Sequence, residues 1–161
     1  MANCVFAGTF DPVTKGHVSI IDKCCLKYDI VFVVVGENPN KQCFFTREER
    51  VELLKKCFTT NPKVKVLAYF DLKEDYANFL KTQGVTDYVR GIRNDEDLKF
   101  EKQYEEKNKK IYPFITTKYI ECDDIFKSVS STLVKEQIKK EDYENLPQEC
   151  VELVKQFLQK K

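Results

Sequence analysis

The run Ile30-Val-Phe-Val-Val-Val35 is apolar without a break, and every residue in it except Phe32 is β-branched. A strand with one wet face alternates polar and apolar residues. This one does not, which predicts a strand covered on both faces, as strands of parallel sheets are. Parallel neighbours cannot be joined by a tight hairpin and need a crossover, usually a helix. The preceding sequence supplies one. Cys4 to Ala7 reads as a first buried strand, and Val18, Ile21, Cys24, Cys25 and Tyr28 recur at helical spacing, predicting a helix from Gly16 to Lys27.

The alternation continues downstream. Thr46-Arg-Glu-Glu49 is a capping box that opens a helix with Val51, Leu54 and Phe58 on its apolar stripe, ended by Asn61-Pro62. Val64 to Tyr69 predicts a third strand, Asp75 to Thr82 a short helix closed at Gly84, and Val85 to Val89 a fourth strand. A charged helix from Glu96 to Lys110 is stopped by Pro113, Phe114 to Ile120 gives a fifth strand, and two helices follow, the last after Asn145-Leu-Pro147. The pattern predicts one α/β domain over residues 1–161: a doubly wound, Rossmann-like, parallel five-stranded sheet with C-terminal helices, binding ligands at the carboxyl ends of its strands.

Composition narrows the partners. Lys and Arg total 27 against 26 Asp and Glu, a formal net charge of +1. No global basic field marks a nucleic-acid binder, so small-molecule partners are expected and any anion site must be built locally. The seven cysteines show neither C-x-x-C pairs nor metal-finger spacing, which predicts reduced thiols and no protein metal site. No apolar run approaches the ~20 residues of a membrane span, and the N-terminus enters a strand without a leader-like segment. The expected location is the cytoplasm.

Three stretches carry chemistry. In Thr9-Phe-Asp-Pro-Val-Thr-Lys-Gly-His17 a strand breaks into a loop that feeds a helix, placing the only histidine in the first helical turn, where the helix end favours an anion such as phosphate. A lone histidine is ordinarily a solvated or core residue, so its meaning depends on the rest of the chain. Arg90-Gly-Ile-Arg93 leaves the fourth strand with two planar, permanently charged forks suited to phosphate. Ser130 and Ser131 are N-cap residues of the following helix, and Lys135 lies one turn on.

Together these stretches resemble the nucleotidylyltransferase superfamily: Thr14-Lys-Gly-His17 is similar to its H-x-G-H or T-x-G-H signature, and Ser130-Ser-Thr-Leu-Val-Lys135 to its S-S-T-x-x-R/K signature. The T-x-G-H form with Asn38-Pro-Asn-Lys41 and R-G-x-R resembles the phosphopantetheine adenylyltransferase family. That resemblance implies adenylyl transfer from ATP to 4′-phosphopantetheine, with Mg²⁺ accompanying ATP and a homo-oligomer, a hexamer by the family pattern. It also implies coenzyme A as a further ligand.

The implied catalytic residues are His17, Lys41 and Arg90. Thr9, Phe10, Gly91, Ile92, Arg93, Glu101, Ser130, Ser131 and Thr132 join His17 around ATP, while Thr9, Lys41, Tyr76, Arg90 and Asn108 face phosphopantetheine. The chemistry suits such a set, because a phosphate monoester is already an anionic nucleophile and needs alignment and charge neutralisation, not a general base. Two other readings stay open: a nucleotidylyltransferase with a different phosphate acceptor, and a non-catalytic nucleotide-binding module on the same fold.

Overall fold

The computed structural model describes residues 2–36, 40 and 42–161. β1 (Asn3–Gly8) lies at the centre of one five-stranded sheet, with β2 (Val31–Val35) on one side and β4 (Val85–Ile92) on the other; β3 (Val64–Ala68) and β5 (Thr116–Glu121) are the edges. Every pairing is parallel, and the order is β3-β2-β1-β4-β5. The expected doubly wound architecture is therefore present.

All five residues of β2 are buried, as its uninterrupted apolar run requires. Alternate residues serve two cores. Phe6, Val33 and Val35 point to the side covered by α1 (Lys15–Lys27), α2 (Arg47–Cys57), α6 (Ser131–Lys139) and α7 (Val151–Gln159). Val5, Phe32, Val34 and Tyr88 point to the other, against Tyr76 and Leu80 of α4 (Tyr76–Thr82). Gly84 turns the chain into β4 at φ +68°, a left-handed conformation that a side chain resists.

Some elements depart from expectation in their bounds or type. β4 does not end at Val89 but continues to Ile92, because β5 goes on pairing with it through Arg90↔Tyr119, Gly91↔Ile120 and Ile92↔Glu121. Tyr69 does not finish β3; it starts a single helical turn, α3 (Tyr69–Leu72). The last helix is entered through a 3₁₀ turn at Gln148–Cys150.

The charged helix α5 (Asp95–Ile111) has no buried residue, and Phe100, Tyr104 and Ile111 are exposed along it. Its ends are well made: Asn94 caps it by accepting from the Asp97 N–H at 2.8 Å, with acids in the first turn and Lys109 and Lys110 in the last. The seven cysteines are free, with the sulfurs of Cys57 and Cys150 3.0 Å apart. Among the described residues no helix is long and apolar enough to cross a membrane.

Two leucines should separate core from surface. Leu53 is fully buried and Leu26 is 87% exposed. In urea unfolding, Leu53→Ala is expected to lose about 2–5 kcal/mol and Leu26→Ala a few tenths at most.

Candidate active site

β1 and β4 pair only as far as Phe6↔Val89. Beyond that point β1 turns into the Gly8–Thr14 loop while Arg90, Gly91 and Ile92 stay with β5. The parting opens a cavity of about 380 Å³ at the carboxyl ends of the strands. It brings together Phe10, His17, Arg90, Gly91, Arg93 and Glu101, with Ser130 and Ser131 on the far wall.

The T-x-G-H spacing is a capping box with histidine in the N3 place. Thr14 Oγ1 accepts from the His17 backbone N–H at 3.2 Å, and the Thr14 N–H donates to His17 Nδ1 at 3.0 Å. A nitrogen that accepts an N–H carries no proton, so the neutral ring bears its hydrogen on Nε2. Nε2 has no partner among the described residues, and the ring lines the cavity. Burial foremost, then the charge of Arg93, pulls the imidazole pKa down to about 4. At neutral pH His17 is therefore an uncharged donor, not a cation.

Phe10 holds the ring from behind. It is 2% exposed, adopts φ +51°, and meets His17 edge-on with centroids 4.9 Å apart. Gly8 allows this fold-back, since a Cβ there would come within 3.2 Å of the Phe10 ring. Left-handed backbone at a bulky residue is unfavourable and persists only where neighbours enforce it.

Two helix N-termini converge on the cavity, but they offer fewer groups than expected. At α1, the Lys15 amide donates to Asn145 O and the His17 amide to Thr14, leaving that of Gly16 without an acceptor among the described residues. At α6, Ser130 Oγ caps the Leu133 N–H at 3.1 Å and Ser131 Oγ donates to Pro12 O at 2.9 Å. The hydroxyls are thus already engaged in joining the two signature stretches. Lys135 belongs to the same joint, 3.3 Å from buried Asp11, whose carboxylate also accepts from the amides of Phe44 and Phe45.

The arginines are held in place by acids. Arg90 makes a fork with Glu101 at 2.6 and 3.0 Å, and Arg93 Nε lies 3.0 Å from Asp97. Glu101, expected against nucleotide, orients Arg90. Other expected residues lie off the cavity lining. Thr9 directs its carbonyl to Arg50, Ile92 ends β4 opposite Glu121, and Thr132 lines a separate cavity with Lys135. Asn108 is further along α5, and Tyr76 is buried among Tyr69 and Tyr112 on the opposite side of the sheet. Lys41 is outside the described residues. Asp11 and Arg50 were missed as structural members of the site; the acid in Thr9-Phe-Asp-Pro was the available hint for the first.

Among the described residues no group of acidic, histidine or cysteine side chains could hold a metal ion. The cavity's two acids, Asp97 and Glu101, are both occupied by arginine.

The low pKa of His17 ties stability to pH. Its folded value lies below the ordinary 6.5, so the unfolded chain binds the proton more readily. Stability from the neutral ring should be complete above about pH 6.5 and lost as pH falls toward about 4. Titration by NMR should give a midpoint near 4, and His17→Gln should flatten the acid limb of the stability curve.

Residues 5–137 match the family described as cytidylyltransferase-like. The phosphopantetheine adenylyltransferase of Thermotoga neapolitana is 37% identical over 132 residues, 82% of this chain and 80% of that protein. That of Dictyoglomus turgidum is 38% identical over 139 residues, 86% of this chain and 85% of that protein. A NadR protein solved in complex with NR superposes with TM-score 0.66 at 20% identity, covering 93% of this chain and 44% of NadR, a likeness of fold. The chain belongs to the phosphopantetheine adenylyltransferase family within the cytidylyltransferase-like group.

Proposed function

We propose that the protein transfers the adenylyl group of ATP to 4′-phosphopantetheine, giving dephospho-coenzyme A and pyrophosphate. The observation that carries this reading is the neutral His17 ring, locked by Thr14 so that Nε2–H is presented in a cavity bounded by Arg90, Arg93 and two helix N-termini. In the reaction an oxygen of the phosphopantetheine phosphate attacks the α-phosphorus, and the bond from that phosphorus to the bridging oxygen of pyrophosphate breaks. No proton need be removed from the nucleophile. Catalysis then consists of alignment and of donors aimed at the charge that develops.

In this reading His17 donates through Nε2 to an α-phosphate oxygen, and as a neutral ring it keeps its Nε2 proton at physiological pH. Arg90 and, from the family pattern, Thr9 and Lys41 align the attacking phosphate. Arg93 with the amides at the start of α6 receives the β- and γ-phosphates. Family membership implies ATP and a divalent metal. We assign the metal as Mg²⁺ carried by the phosphates, since the cavity offers no carboxylate outside an ion pair among the described residues. Bound there, it would screen phosphate charge.

Homo-oligomerisation, expected as a hexamer, is supported by the exposed apolar residues Phe100, Tyr104 and Ile111 of α5. Small molecules remain the expected partners in solution.

Pyrophosphate release from ATP, measured against a panel of phosphate-bearing acceptors, tests the assignment. Activity is expected with 4′-phosphopantetheine alone; turnover with a different acceptor, or with none, overturns it. His17→Ala should bind ATP with near-native affinity while kcat drops about 10²–10³-fold.

A further inference from the structure

Arg50 is the least expected residue near the cavity. It follows Arg47-Glu-Glu49 in the first turns of α2, where a charged side chain ordinarily faces water, yet only 2% of it is exposed. Its guanidinium forms no ion pair among the described residues. Instead it donates from Nη1 to Thr9 O at 2.9 Å and Gly36 O at 3.1 Å, and from Nε to Phe45 O at 3.3 Å. One cation thus ties the loop after β1, the end of β2 and the residue preceding the α2 cap.

The Thr9 bond matters most. That carbonyl belongs to the peptide unit whose rotation about the next N–Cα bond is the φ of Phe10, and this φ is the unfavourable +51°. The Phe10 ring in turn backs the His17 imidazole at 4.9 Å. A planar fork can satisfy carbonyls on separate segments at fixed angles; an ammonium on a flexible stem cannot do so with the same definition.

We propose that Arg50 is a positioning residue for His17: it fixes the Thr9–Phe10 peptide plane, and through Phe10 the placement of the imidazole. The step from imidazole placement to catalysis rests on the adenylyl-transfer reading above; the placement itself does not. Arg50 touches no substrate in this scheme and supplies no charge to the reacting phosphates.

The test uses Arg50→Lys, which keeps the charge and loses the fork, with Arg50→Gln read in the same way where the lysine variant does not fold. In the ligand-free protein, NMR titration of His17 should show its midpoint moving up toward 6.5 as the ring becomes less enclosed. With ATP and 4′-phosphopantetheine, kcat should fall about tenfold or more while the Kd for ATP changes less than about twofold. In a His17→Ala background the same substitution should cost little further, because the two residues act as one unit.

A His17 midpoint that stays put overturns the proposal, as does a kcat loss of the same size with and without His17. Should the wild-type protein transfer nothing to 4′-phosphopantetheine, the functional reading fails alone, and the titration still decides the role of Arg50.

Discussion

The parting of β1 from β4 after Phe6 and Val89 is the constraint on which the remaining arrangement depends. A parallel sheet wound in both directions from a central strand must open where its crossovers diverge, and the carboxyl ends there carry loops that no neighbouring strand covers. Here the divergence sends the Gly8–Thr14 loop one way and leaves the last three residues of β4 bound to β5. His17 and Arg90, far apart in sequence, then line one cavity. The sheet must be rigid for that to hold, which the fully buried β2 beside β1 ensures.

Features legible in the sequence were those set by interactions over a few residues. The β-branched run around Val33 has few conformational options, and the capping of α2 and α6 rests on three-residue spacings that can be read directly, whereas the cap of α1, with a histidine in the N3 place, emerges only from the structure. What could not be read was decided by partners distant in the chain. β4 extends past Val89 because β5 pairs with it, and Lys135 meets an acid 124 positions away. Arg50 ends the charged run Arg47-Glu-Glu-Arg50, which looks solvated, and only the assembled strand ends reveal the carbonyls that bury it. Tyr76 likewise takes its surroundings from the second core, on the opposite side of the sheet.

Charge in the site is arranged so that each arginine is oriented before any anion arrives. Exchange of a carboxylate for a phosphate at a guanidinium replaces one forked contact by another, with little change in the side chain's conformation. On the adenylyl-transfer reading, Asp97 and Glu101 thereby serve as templates as well as counter-ions. His17 differs in kind: burial removes its charge, whereas Arg90, though burial opposes its charge, is held in the charged form by Glu101.

The helix α5 supplies Asp97, Phe100 and Glu101 to the cavity but places no residue in either core. Its stability is set by its caps, its end charges and its contacts with β4, all of them wet or partly so. Segments with few buried apolar contacts open at lower free energy than the body they rest on. The cavity consequently has one stiff wall, made by α1 and the central strands, and one compliant wall. A bound molecule spanning both would gain its shape selectivity from the first and lend order to the second.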